Sequence, residues 1–248
     1  MTGIHTAASF RLAYVPGVAP GKWARTWSDR VPDVPLELIR VSAADAAGAL
    51  RDGTADAGLV RLPIDRGGLS AIPLYTETSV VVIPKDHEVA AVDEVRVENL
   101  ADYIWLHPLD DCLEWNSLPG LPANDRPATT ADAVELVAAG VGLLVVPQSL
   151  ARLHSRKDLT YRPLTDAPQS RVALSWLEER TTDLMEEFIG IVRGRTVNSS
   201  RGRPPTPPAA PAQPKVTESG NARKKSASGK SGPGAARGAP RGKPRRRP

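Results

Sequence analysis

Within its first sixty residues the chain alternates short apolar runs with polar, helix-length ones, and this alternation limits the folds open to it. Phe10 to Val15 alternates apolar and polar side chains in its first half and reads as a strand, which Pro16 to Gly21 stops. A helix is expected over Lys22 to Arg30 and a second strand over Val34 to Val41. Ser42 is a good helix N-cap with Asp45 three residues on, so the next helix is expected over Ala43 to Leu50, ending near Gly53. Asp56 to Val60 reads as a third strand and Leu69 to Leu74 as a fourth. Thr78 to Ile83 is β-branched and continuously apolar, as a strand covered on both faces should be. Strands alternating with helices predict right-handed crossovers and a parallel sheet in an α/β fold.

Pro84-Lys85-Asp86-His87 breaks this pattern and a second unit begins. Its expected elements are a short helix at Val97 to Leu100 and a strand at Tyr103 to His107. Thr129 or Thr130 caps a helix over Ala131 to Ala139 that Gly140 ends. A strand at Leu143 to Pro147, a short helix at Ser149 to Leu153 and strands at Leu159 to Leu164 and Arg171 to Trp176 follow. Leu184 to Arg193 is an amphipathic closing helix.

Hydrophobic periodicity stops at about Asn198. From there to Pro248 the chain carries 13 Lys and Arg against one acid, Glu218, and Val216 is its only branched or aromatic hydrophobe. Such a segment cannot bury enough apolar area to offset the entropy of ordering it, so residues 198–248 are expected to be a disordered basic tail. The preceding 197 residues hold 19 bases and 27 acids, so the net charge of +4 sums an acidic body and a basic tail. Cys112 is the only cysteine, which excludes an internal disulfide and fits a reducing, cytoplasmic setting. Neither a secretory leader nor an apolar run of membrane-spanning length is apparent, so no membrane partner is expected.

Several segments now fall into a familiar order. They are Phe10–Pro16, Pro32–Leu38, Ala49–Val60, Pro73–Glu77, Val81–His87 and Ala138–Ser149. In this order and spacing the chain resembles the substrate-binding (effector) domain of LysR-type transcriptional regulators, over Phe10 to about Arg195. The resemblance implies the fold of type 2 periplasmic binding proteins: two α/β lobes, two crossover strands and a ligand cleft between the lobes. Lobe one would comprise residues 10–82 and 170–197, and lobe two residues 83–169. It also implies a homodimer formed through the lobe-one edge. The family carries a winged helix-turn-helix ahead of this domain, whereas nine residues precede Phe10 here, so the expectation is a sensor without its own DNA-reading helix.

Ligands of open α/β sheets bind beyond the carboxyl ends of strands, where helix N-termini offer free N–H groups and partial positive charge. Three places qualify: the loop holding Pro16, Gly17 and Val18, the pair Ser42-Ala43, and, from the other lobe, Thr129-Thr130. Arg61 follows the third strand, where the resemblance implies a basic residue near the pocket, and a guanidinium grips a carboxylate bidentately. His107 ends the facing strand. Each has an ordinary structural alternative. Ser42 and Thr129 are also plain helix caps, Arg61 a salt-bridged arginine, His107 a strand-end histidine, and Gly140-Val141-Gly142 a helix stop.

Enzyme chemistry has little to stand on. The four histidines are far apart without metal-ligand spacing, and nucleophile-elbow and phosphate-loop motifs are lacking. Asp110-Asp111 reads as a solvated pair, and Cys112 beside it as a poor thiolate. The leading expectation is therefore a sensor of a small anionic metabolite, with no cofactor, metal or catalytic residue. The rival is a nucleic-acid-associated protein whose tail, with Lys224-Lys225 and Arg245-Arg246-Arg247, neutralises phosphates without reading sequence.

Overall fold

The computed structural model describes residues 9–195, so the tail expected over 198–248 lies outside the described residues. The first unit opens β1 (Phe10–Tyr14), α1 (Gly21–Arg30), β2 (Leu36–Arg40), α2 (Ala46–Arg51), β3 (Ala57–Leu62) and β4 (Leu69–Glu77). The second contains β5 (Ser79–Pro84), β6 (Ile104–Leu106), β7 (Leu121–Pro122), α3 (Thr130–Ala138), β8 (Leu143–Pro147), α4 (Gln148–Leu153) and β9 (Leu159–Pro163). β10 (Ser170–Leu177) and α5 (Asp183–Val192) then return to the first.

Two five-stranded sheets result, ordered β2-β1-β3-β10-β4 and β7-β6-β8-β5-β9. Both are mixed. β1 pairs in parallel with β2 and β3, as the alternation of strands and helices predicts. The returning β10 is antiparallel to β3 and β4, which the expectation of a parallel sheet does not include. Thr78 to Ile83 also departs from the expected division at residue 82. β5 pairs with β8 and β9, so the chain has already left the first sheet after Glu77. The continuous apolar run is buried on both faces as expected: Val80 and Val82 feed one core cluster, Val81 and Ile83 another.

The core of the first unit is nucleated by aromatic rings. Trp27 is fully buried, stacks on Phe10 at 4.8 Å and meets Phe188 of α5 at 5.8 Å. Its indole N–H donates to the Val34 carbonyl at 2.8 Å, so its one polar atom is satisfied. Removing a buried ring of this size costs about 3–5 kcal/mol. These contacts fasten the closing helix to the first strand. In the second unit Trp105 is buried and meets Trp115 edge to face at 5.3 Å.

α3 is built as its sequence suggests. Thr129 and Asp132 form a reciprocal capping box, and Gly140, at φ 73°, ends the helix. α2 is shorter than expected. Ser42 takes the N–H of Asp45 at 3.1 Å and holds a turn, so the helix begins at Ala46 rather than Ala43. No helix among the described residues is long and apolar enough to cross a membrane.

Candidate functional site

The two crossings between the sheets lie side by side, because Glu77 at the end of β4 pairs with Ser170 at the start of β10. Arg61 of β3 reaches this point from the first sheet. Its Nη1 donates to Glu77 Oε2 and to Ser170 Oγ, both at 2.7 Å. Its Nη2 donates to the Pro16 carbonyl at 3.1 Å and to Ser149 Oγ at 3.0 Å. Ser149 belongs to α4 of the second lobe and donates in turn to Glu77 Oε2 at 3.0 Å. The Arg61 and Glu77 side chains are 3% and 11% exposed. One guanidinium therefore ties the first lobe, both crossings and the second lobe together. We call this node the latch.

Above the latch lies the cleft. A chamber of about 260 Å³ is lined from lobe one by Pro16, Ser42, Ala43 and Arg61, and from lobe two by Thr129 and Thr130. Arg40, Asp110, Leu150 and His154 complete its polar and apolar wall. A second chamber of about 460 Å³ shares Ser42, Ala43, Arg61, Asp110 and Cys112 with it and continues past Leu62, Leu109 and Glu114. The two form one continuous cleft.

Six of the nine residues expected at a site thus line the cleft, and three do not. Gly17 sits behind the wall at φ 84°, where an added Cβ would lie 2.5 Å from Ser149 Oγ and 2.9 Å from Arg61 Nη2. Its place is to let the latch form. Val18 is buried in the core of lobe one. His107 lies outside the lining, with Nε2 3.2 Å from Asp111 Oδ2, and its carbonyl accepts from Arg126 Nε at 2.8 Å. It is the strand-end histidine of the alternative reading.

The roles change too. Arg61 lies within β3 rather than after it, and four of its five N–H groups are spent on the protein, so it is the salt-bridged arginine rather than a free carboxylate clamp. Sequence reasoning misses Arg40 and His154, and reads Asp110 as a solvated loop acid. Asp110 is solvent-exposed as read, but it also lines the cleft and accepts from Thr130 Oγ1 at 2.9 Å. Burial holds the His154 imidazole below the usual histidine range. It also lifts the Asp111 carboxyl.

Cys112 lines both chambers. Burial is the main cause that pushes its thiol up to about 11; nearby Arg61 pulls the other way, while Asp111, Glu77 and Asp110 add to the rise. The adjacent acids alone suggest a poor thiolate, but desolvation is the larger reason. Among the described residues no three His, Cys, Asp or Glu side chains gather as a metal ion would require.

Two outcomes are expected. Glu77→Ala leaves a buried guanidinium without its counter-ion and lowers unfolding free energy by about 3–5 kcal/mol. Ser149→Ala removes hydrogen bonds but no charge and costs about 1–3 kcal/mol; denaturant titration of both variants checks the order. A thiol at about 11 holds on the order of a hundredfold less thiolate at neutral pH than free cysteine. Cys112 of the native chain should therefore react slowly with iodoacetamide at about pH 7.5 and accelerate only as pH approaches 11.

The comparisons with known proteins agree with this architecture. The LysR substrate binding domain model matches residues 5–196. A probable hydrogen peroxide-inducible genes activator of Mycobacterium avium is 32% identical over 162 residues, which is 60% of this chain and 52% of that protein. The corresponding Mycobacterium leprae protein is 30% identical over 158 residues, 58% of this chain and 50% of its own length. The chain spans about half the length of these curated relatives. Among solved structures, the BenM effector binding domain with its effector benzoate superposes with a TM-score of 0.62 at 20% identity, covering 75% of this chain and 91% of that one. The reduced OxyR regulatory domain of Pseudomonas aeruginosa gives 0.60 at 20% identity, over 75% and 94%. The structural likenesses establish the two-lobed, periplasmic-binding-protein-like fold, and the family match over residues 5–196 establishes that the chain belongs to the LysR substrate-binding domain family.

Proposed function

We propose that this domain is a ligand sensor in transcriptional regulation. It binds a small metabolite with at least one anionic group between its lobes and responds by changing the angle between them, without catalysing a reaction. The observation that carries this reading is the cleft itself, lined from both lobes directly above the latch. A ligand touching Pro16, Arg61 and Leu150 touches the latch or its neighbours, so binding and interlobe geometry share residues. A ligand shifts such an equilibrium only by its differential affinity for the two arrangements.

The start of α3 supports the anionic assignment. Thr130 and Ala131 open α3 and line the cleft, and helix geometry leaves their N–H groups without intrahelical acceptors. Benzoate, the effector named for the BenM domain, is itself a carboxylate. A peroxide-responsive reading is suggested by the names of the mycobacterial relatives and by Cys112 in the cleft wall. It is less well supported, because the thiol is held protonated and the chain has no second cysteine for an internal disulfide. The rival nucleic-acid reading rests on residues 198–248, which lie outside the described residues, and no observation favours it.

The test is a thermal-shift screen of the full chain against small carboxylates, amino acids and phosphates. A ligand at about 100 times its Kd adds about 2.7 kcal/mol and raises Tm by several degrees. Anionic hits are expected. Hits confined to uncharged or purely cationic compounds would contradict the anionic assignment.

A further inference from the structure

We infer that the ligand of this cleft is dipolar: it carries a cationic amine toward Asp110 and Glu114 as well as an anionic group toward Arg40 and the start of α3. The inference rests on the sensor reading above and narrows its ligand class. It follows from which polar groups in the cleft are already occupied.

The side chains that would ordinarily hold an anion are taken. Ser42 Oγ donates to Asp45 Oδ2 at 2.6 Å and accepts from the Asp45 N–H. Thr129 Oγ1 donates to Asp132 Oδ2 at 2.8 Å, and Thr130 Oγ1 donates to Asp110. Arg61 is neutralised by Glu77 at 2.7 Å. The charges left facing the cleft are Arg40 in the first chamber, Asp110 at the junction and Glu114 in the second; Asp111, also in the second, lies 3.2 Å from His107 Nε2. Among the described residues the Arg40 and Glu114 side chains have no hydrogen-bonding or ion-pairing partner, and Asp110 accepts only from Thr130.

The free charges in the cleft are therefore of both signs. The first chamber holds the free Arg40 guanidinium and the two N–H groups at the start of α3, which attract an anion, as well as Asp110, which attracts a cation. The second offers carboxylates beside Leu62, Leu109 and Leu113 and favours positive charge on an apolar stem. A plain carboxylate held here would sit close to the Asp110 carboxylate, and like charges at short range repel even where, as at Asp110, solvent reaches them. An amine on the same molecule offsets that repulsion and forms a charge-assisted hydrogen bond. His154 does not alter the balance, because burial favours its neutral form.

The experiment is calorimetric titration of the full chain with matched triplets: an amino acid, the same skeleton without the amine, and the same skeleton without the carboxylate. Leucine, 4-methylpentanoate and 3-methylbutylamine form one triplet; 6-aminohexanoate, hexanoate and pentylamine form a longer one. In at least one triplet the dipolar member should bind tenfold or more tightly than either partner. Asp110→Asn should reduce that advantage to threefold or less. Glu114→Gln, at an exposed position where folding does not depend on the charge, should reduce it in the same direction. A carboxylate that binds as tightly as its amino acid would overturn the dipolar assignment and leave the sensor reading standing. Binding by no member of any triplet, with the chain folded, would count against both.

Discussion

The buried ion pair between Arg61 and Glu77 is the interaction on which the arrangement of this molecule depends. An isolated charge at 3% exposure would be costly, so the guanidinium must be matched by a carboxylate and by hydrogen bonds to its remaining donors. The fold supplies these from four places distant in sequence: the turn after β1, the end of β4, the start of α4 and the start of β10. Such a pair adds little net stability over an apolar substitute, but it is strict about geometry. Its requirement is met only when both crossings and α4 are in place, so it specifies how the lobes stand at the hinge. Gly17 follows from the same requirement, since any side chain there would enter the space of Ser149 and Arg61.

Much of this architecture is legible in the sequence because its signals are local. Short apolar runs between polar or Pro and Gly breaks mark most strands, and the Thr129–Asp132 spacing marks the start of α3. The resemblance to LysR-type effector domains adds the two-lobed arrangement. What stays hidden is long-range. Thr78 to Ile83 looks the same whichever sheet it joins, and its partners β8 and β9 begin only at Leu143 and Leu159. The apparent division therefore falls at residue 82 instead of after Glu77. Arg61 fits either role because its partners stand 16, 45, 88 and 109 residues away, a spacing that no periodicity reports. Asp110 is overlooked for a related reason: an acid beside another acid in a loop reads as solvated, which it is, and its place in the cleft wall shows only once Ser42, Ala43 and Arg61 of the other lobe line the same chamber.

The latch and the cleft also divide the work. The buried cation in the cleft wall is spent on structure, so selectivity passes to more exposed groups: the α3 N–H donors, Arg40, Asp110 and Glu114. A site of this kind discriminates by the placement of charge along its length rather than by one strong clamp. It also separates affinity from response. Groups that touch the ligand need not be those that fix the interlobe angle, and the two sets meet only at Pro16 and Arg61. Coupling between binding and output would be carried through that short overlap.

The most direct test of the latch is the distribution of distances between the lobes. Spin labels at Arg25→Cys on α1 and Lys157→Cys beyond α4, in a Cys112→Ser background, report it by pulsed electron resonance. With the latch intact the distribution should be single and narrow, and adding Ser149→Ala should broaden it or open a second, longer population. Identical distributions with and without the Ser149 hydroxyl would show that the lobes are held by something else, and Arg61 would not be the residue that sets the hinge.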